Sequence, residues 1–364
     1  MKPRHDNRTE PTIRRARAAS LARLEQLRAT VSGARRLLVL THDNPDPDSI
    51  AAGWGLVKVL RAVRRLKVDL GYGGIIGRGE NRTMVHELRV PLHPLSELDL
   101  ASYDAFALVD SQPETGNNSL PGGVVPAIVI DHHPCRRETR RVPYFDVRED
   151  YGATATIMSE YLIASGEPID RRLATAFFYA IKSETRNLGR ESSRADIRAF
   201  LDFFPGVNNV ALSRIENPPI PRAHFAMIDQ LISGTKVHGR TAITMLGVVS
   251  HPDAVAEFAD LLVRMEEIDW ALAVGRFGPD LLLSIRTNLE TANAGRIIQT
   301  IVGKDGKAGG HGMMAGGKVP LGAISEERAR EREALLRARA LTALRAPARG
   351  VPLVPAKAAG PLPK

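Results

Sequence analysis

The chain has 364 residues, 43% hydrophobic and 25% charged, with 50 Lys/Arg against 41 Asp/Glu and a formal net charge of +9. These values fit a soluble globular protein and exclude a wholly disordered chain, a collagen-like repeat and a disulfide scaffold. One cysteine excludes an intrachain disulfide and points to a reducing compartment. No apolar run approaches the ~20 residues a bilayer requires, and MKPRHDNRTEPTIRR lacks the apolar stretch of a secretory signal. A cytoplasmic protein without a membrane partner is the expectation. The charge is uneven: residues 1–30 and 325–364 each carry an excess of five positive charges, while 31–324 holds 33 basic and 34 acidic residues. The basic ends read first as solvated tails. Weak, salt-sensitive contact with RNA is the alternative, disfavoured because no aromatics interleave with the arginines.

The length predicts two domains. Ile13, Leu21, Leu24, Leu27 and Val31 recur at helical spacing, so an amphipathic helix is expected over 12–32, ended by Gly33. Then short apolar runs alternate with helical stretches. Leu37–Leu40, Val68–Gly71, Phe106–Val109 and Ala127–Ile130 read as strands. Ser49–Arg65, capped by Ser49 or Asp48, reads as a helix, as do 152–165 and 170–182. This alternation indicates βαβ units and a parallel sheet, an α/β fold. Residues 204–222 hold four prolines and little periodicity and read as a linker.

A smaller α/β domain should follow. Its strands are expected at Ala242–Val249, Ala271–Val274 and Leu281–Ile285, and its helices at His251–Met265 and Ala292–Val302. A glycine-dense loop over 303–317 comes next, then a charged helix over Ser325–Leu344 capped by Ser325. The Pro/Ala-rich end is expected to be disordered.

The informative residues sit at strand ends. LLVL runs into His42, Asp46 and Asp48; FALV runs into Asp110; AIVI runs into Asp131, His132 and His133. In a parallel sheet the carboxyl ends of neighbouring strands converge on one crevice. So many acids in one volume would repel one another unless divalent cations neutralise them. Each Asp alone could be a turn former or helix cap; their coincidence at three strand ends favours a metal centre. An EF-hand loop could also use Asp46 and Asp48 but is disfavoured by the missing Gly and closing Glu and by the preceding strand. A serine hydrolase lacks its nucleophile elbow, and a Walker A loop its Lys-Ser/Thr after Gly73-Gly74.

These residues resemble the DHH/DHHA1 phosphoesterase family, the bacterial nanoRNase and pAp phosphatase type within the RecJ-like superfamily. His42-x-x-x-Asp46-x-Asp48 resembles its first motif, Asp110 its second and Asp131-His132-His133 the motif that names it. Tyr151–Thr154 is similar to its Gly-Ala-Thr helix start, Ser284–Arg286 to the DHHA1 arginine strand, and Gly309-Gly310-His311 to the DHHA1 glycine loop. The resemblance covers about residues 35 to 322 and implies a parallel-sheet DHH domain (35–204) and a DHHA1 domain (223–322). With the composition and periodicity above, a basic extension with a helix (1–34), a linker (205–222) and a charged helix with a disordered tail (323–364) complete the expected division. It implies two Mn²⁺ ions, with Mg²⁺ or Co²⁺ as substitutes. Asp110 would bridge them, His42 and Asp46 would complete one site, and Asp48 and His132 would serve the other. Glu184 stands where the family's fourth motif has Asp. His133 would contact the transferring phosphoryl group and Asp131 would orient His132. Arg286, Gly309, Gly310 and His311 would bind substrate phosphate. The implied activity is two-metal hydrolysis of short oligonucleotides or 3′-phosphoadenosine 5′-phosphate. A cyclic or linear dinucleotide phosphodiesterase and an exopolyphosphatase-like enzyme are related alternatives. A non-catalytic nucleotide- or RNA-binding protein is the alternative of another class. A homodimer is also implied.

Overall fold

A computed structural model describes residues 9–61, 63, 65–189, 192–322 and 325–354, with only the backbone described for 9–17 and 311. The chain divides into two units, one ending at Pro218 and the other beginning at Pro219.

The first unit contains α1 (Thr9–Thr30), β1 (Arg36–Leu40), α2 (Pro47–Leu60), β2 (Lys67–Tyr72), α3 (Gly79–Leu88), β3 (Leu92–Pro94), β4 (Ala105–Val109), β5 (Ile128–Asp131), β6 (Tyr144–Val147), α4 (Thr154–Ser165), α5 (Arg171–Glu184), α6 (Arg194–Phe203) and α7 (Asn209–Glu216). Its six strands form one sheet in the order β3-β2-β1-β4-β5-β6, every neighbouring pair parallel. Strand residues alternate between two cores. Leu37, Val39, Ala107, Val109, Ile128 and Ile130 face the helical layer, while Leu38, Leu40, Phe106, Leu108 and Val129 face a loop-covered core with Tyr103 and Val142. Helix α2 is buried almost all round, as its near-continuous apolar run requires.

Three sequence expectations change here. The cap of α2 is Asp46, not Ser49 or Asp48: its carboxylate accepts the Ser49 amide at 2.9 Å, and Pro47 occupies the first helical position. Helix α1 is part of the first core, because Leu24 and Leu27, with Val31 just after the helix, are buried in it. Residues 204–222 are mostly ordered: 204–206 form a 3₁₀ turn, and α7 buries Ala211, Leu212 and Ile215. Pro205 falls in the first turn of a helical segment, where its missing N–H costs nothing, while Pro218 and Pro219 mark the boundary between the units inside the expected linker.

The second unit contains α8 (Arg222–Gly234), β7 (Thr235–His238), β8 (Thr241–Val248), α9 (Asp253–Leu262), β9 (Trp270–Phe277), β10 (Asp280–Thr287), α10 (Ala294–Val302), β11 (Lys307–His311), β12 (Met314–Pro320), α11 (Glu326–Ala343) and β13 (Val351–Pro352). Its seven-stranded sheet runs β11-β12-β10-β9-β8-β7-β13, antiparallel except at β8–β9. Ala242, Leu246, Ala271 and Ala273 face α8 and α9; Ile243, Leu272, Val274 and Ile285 face α10 and α11. The expected glycine loop over 303–317 is largely a hairpin, β11–β12. The terminal helix α11 is no appendage, since Leu336 and Ala340 are buried against α10. Residues 1–8 and 355–364, the outer parts of the expected basic extension and disordered tail, lie outside the described residues. Within the described part of that tail, Val351 and Pro352 pair with β7 instead of being disordered.

Candidate metal centre

The order β2-β1-β4-β5 places the reversal of strand order between β1 and β4, where an open parallel sheet leaves a crevice at its carboxyl edge. Leu40 pairs with Leu108 and Val109 with Ile130, so His42 and Asp110 emerge side by side, with Asp131 beside Asp110. Asp110 leaves its strand at φ 55°, a left-handed conformation costly for a residue with a Cβ and typical of functional sites. The segment carrying His42 and Asp46 is pinned from below. Asn44 N–H donates to the Gly73 carbonyl at 3.0 Å, and the Ser119 hydroxyl donates to Asp43 at 2.8 Å. A Cβ on Gly73 would collide with the Asp43 carboxylate, so glycine is required there.

The two oxygens of Asp110 face different partners. Oδ2 lies 3.6 Å from His42 Nε2, which is itself 3.5 Å from Asp46 Oδ1. Oδ1 lies 3.7 Å from His132 Nε2 and 3.7 Å from His133 Nδ1. Two ligand groups result, His42–Asp46–Asp110 and Asp110–His132–His133, sharing one carboxylate. The imidazoles are oriented for ligation. His42 Nδ1 is 3.0 Å from the Asp43 carbonyl and His132 Nδ1 is 3.1 Å from the Tyr151 carbonyl, so each Nδ1–H donates to backbone and each Nε2 lone pair turns to the crevice. His132 Nε2 is buried without a hydrogen-bond partner among the described residues, as a nitrogen that fits a cation would be.

The electrostatics are those of an over-charged pocket. Burial, then the charges of Asp110, Glu184 and Asp46, push the Asp48 carboxyl well above its ordinary range. Burial and Asp46 raise Asp110. For His42, burial opposes protonation, but Asp46 and Asp110 outweigh it and lift the pKa to about 10. For His133, burial is outweighed by Asp131, Asp110 and Glu184, and the pKa rises to about 9. Divalent ions would remove this repulsion and displace the imidazole protons.

Two expected placements differ. Asp131 orients His133, not His132: its Oδ1 is 2.9 Å from His133 Nδ1 and also accepts both backbone amides of the His pair. A carboxylate at a strand end reaches back to the residue two positions on more readily than to its immediate neighbour, whose ring points the other way. Asp48 caps a distant helix, its oxygens accepting the Thr154 and Ala155 amides at 2.7 and 2.8 Å. It supplies the anion that Ala153, at the N-cap of α4, cannot. Neither Asp48 nor Glu184 belongs to the two ligand groups, although Glu184, the last residue of α5, is close enough for its charge to act on Asp48 and His133.

Sequence reasoning missed two supports. Thr154 donates its hydroxyl to Asp110 Oδ1 at 2.8 Å. Gln112, 1% exposed, donates to Asp131 Oδ2 at 2.6 Å and accepts from the Arg136 amide and the Thr139 hydroxyl. Thr154 had a signal in the Tyr151–Thr154 motif; Gln112 had none beyond standing two residues after Asp110.

In the second unit, Arg286 is 9% exposed and contacts Asp260 Oδ1 at 2.7 Å, Ser284 Oγ at 2.7 Å and the Ile285 carbonyl at 3.0 Å. Gly309 and Gly310 are strand residues of β11. Gly310, at φ 145°, packs so close to α10 that a Cβ on Gly295 would strike its carbonyl. His311 ends β11, and its side chain lies outside the described residues.

Residues 36–181 match the family model described as DHH family, N-terminal domain. The chain carries a DHH-family domain. Its sheet, the crevice and both ligand groups fall within or beside the matched span. A Methanocaldococcus jannaschii protein named as uncharacterized is 35% identical over 298 residues, covering 80% of this chain and 60% of its own length. The cyclic-di-AMP phosphodiesterase GdpP of Bacillus subtilis is 23% identical over 352 residues, covering 90% of this chain and 51% of its own length. The chain thus spans between half and two thirds of these curated relatives. Among solved structures, an exopolyphosphatase-related protein from Bacteroides fragilis matches with a TM-score of 0.67 at 13% identity, covering 89% of this chain and 98% of that one. A DHH domain from a member of a family of ribosomal proteins matches with a TM-score of 0.51 at 15% identity, covering 92% of each. At such identities these likenesses concern the fold. No helix of the described residues is long and apolar enough to cross a membrane.

Proposed function

We propose that this DHH protein is a divalent-metal phosphoesterase acting on short nucleotides, oligoribonucleotides or 3′-phosphoadenosine 5′-phosphate, with Mn²⁺ as the preferred ion. The observation that carries the reading is the shared Asp110, each oxygen turned to a separate His-containing ligand group. Two ions held there would supply charge neutralisation and an activated water for in-line displacement at phosphorus. Mixed imidazole and carboxylate ligands suit Mn²⁺ better than Mg²⁺, which prefers nearly all oxygen.

The rest of the chemistry belongs to the chain. His42, Asp46, Asp110 and His132 would hold the ions, with the Thr154 hydroxyl fixing the rotamer of Asp110. His133, held by Asp131 and 43% exposed at its side chain, donates a hydrogen bond to a phosphoryl oxygen. Gln112 keeps Asp131 in place and ties it to the following loop. That loop carries four arginines, Arg136, Arg137, Arg140 and Arg141, charge that would attract a substrate with more than one phosphate. A second reading, cyclic-dinucleotide hydrolysis, is favoured by the match to the Bacillus subtilis phosphodiesterase across 90% of this chain.

The test is a substrate panel with Mn²⁺, comprising dinucleotides, bisphosphorylated adenosine, cyclic dinucleotides and polyphosphate, run on the native chain and on Asp110→Ala. We expect turnover of dinucleotides or bisphosphorylated adenosine, with loss of at least about 10³-fold in Asp110→Ala, which remains folded. Preferential turnover of cyclic dinucleotides selects the second reading. No turnover of any member, or full activity in Asp110→Ala, rejects the enzyme.

A further inference from the structure

The second unit holds a cluster that the DHH centre does not explain. His224 lies in the first turn of α8, His251 in the turn between β8 and α9, and Glu257 on α9. One ligand atom from each falls within 4.8 Å of the other two, and all three side chains are half-buried. They come from three segments separated by 27 and 6 positions, so no spacing motif announces them.

The placement is held from both sides. Met227, Leu231, Ala254, Val255 and Phe258 pack α8 and α9 into one apolar core. The His224 ring lies 5.7 Å from the Phe258 ring, and Ser250, next to His251, contacts the Met227 sulfur at 3.4 Å. The cluster therefore sits on a packed scaffold, not on a mobile loop.

We propose that His224, His251 and Glu257 form a second divalent-metal site, a clip joining α8 to α9, with water completing the coordination. Two imidazoles and one carboxylate favour Zn²⁺ or another ion that accepts nitrogen, such as Co²⁺, over Ca²⁺ and Mg²⁺. His251 and Glu257 already engage neighbouring groups, so the ion takes over those side chains by exchange. Bound ion stabilises the folded unit by mass action, because the unfolded chain does not bring the three ligands together. This inference is independent of the phosphoesterase reading, since it concerns metal count and helix stability.

The experiment uses the full chain with its DHH centre disabled by Asp110→Asn and His132→Asn, titrated with Co²⁺ alone. Bound cobalt is counted by equilibrium dialysis, and its coordination is read from its visible absorption. The expected result is cobalt bound with a nitrogen-containing coordination spectrum, and a rise in Tm that follows the titration. Adding His224→Ala should weaken binding at least about tenfold and remove the Tm rise. Glu257→Gln, nearly the same size, supplies the same readout should His224→Ala fail to fold. Absence of cobalt binding in the double variant, or binding unchanged by His224→Ala and Glu257→Gln, overturns the proposal.

Discussion

At the scale of single residues, the centre is built by opposition. Carboxylates that would normally avoid one another are forced together by strand ends, and the histidines between them are pulled toward protonation. His42 and His133 have pKa values raised from 6.5 to about 10 and about 9. The folded chain thus binds these protons more tightly than the unfolded one. Their contribution to metal-free stability is complete below pH 6.5 and is lost as pH rises through about 9 to 10. The raised carboxyls of Asp48 and Asp110 act in the same direction. Asp46 and Asp131 are depressed, burial being outweighed by their histidine partners, so their contribution is lost only in acid. Metal must displace the imidazole protons, so its affinity runs the opposite way. Melting the chelator-treated protein from pH 6.5 to about 9 should show a falling Tm, while the increment on adding Mn²⁺ grows. A metal-free Tm that is flat over this interval would contradict the assignment.

At the scale of elements, several residues singled out for chemistry also do structural work. Asp46 caps α2 and faces His42; Asp48 caps α4 across 106 positions of sequence. A helix end buried in a protein must find acceptors for its amides, and here the metal-motif segment provides them. The glycines of the second unit follow the same logic. The hairpin β11–β12 approaches α10 so closely that a Cβ on Gly295 would strike the Gly310 carbonyl, while a Cβ on Gly310 would strike Ala315 of the neighbouring strand β12. Gly295→Ala should therefore force α10 away from the hairpin, at a cost of about 1–3 kcal/mol. Urea unfolding measures it, and a midpoint equal to that of the native chain would show that the contact is not needed.

At the scale of the molecule, each unit is stabilised by its own pair of cores. The charged segment after residue 324 belongs to the second unit. It buries Leu336 and Ala340, and it holds Arg276 between Glu326 and Glu333 at 2.6 and 3.1 Å. Burying one leucine is worth roughly 1.5–3 kcal/mol. A chain cut after residue 322 should lose at least that much and expose the apolar face of α10. The expected signs are a lower Tm and increased binding of a hydrophobic dye. A cut chain that melts with the full-length protein would make α11 the appendage its charge suggested.

The sequence by itself determined the α/β class, the short parallel strands of the first unit, the cap at Ser325 and the gathering of His42, Asp46, Asp110 and His132. These are local facts: an apolar run of four or five residues that ends in a carboxylate carries its meaning within a few positions. Tertiary structure alone decided that Asp131 serves His133, that Asp48 closes α4, that Gln112 binds the DHH motif to its loop, and that His224, His251 and Glu257 converge. Hydrogen bonds and ligand groups join whatever side chains the packing brings within about 3–4 Å. Composition and spacing carry no record of neighbours twenty or a hundred residues apart. The glycine loop that forms a hairpin has the same cause, since Gly marks a local backbone option whose use is settled by the surface it packs against.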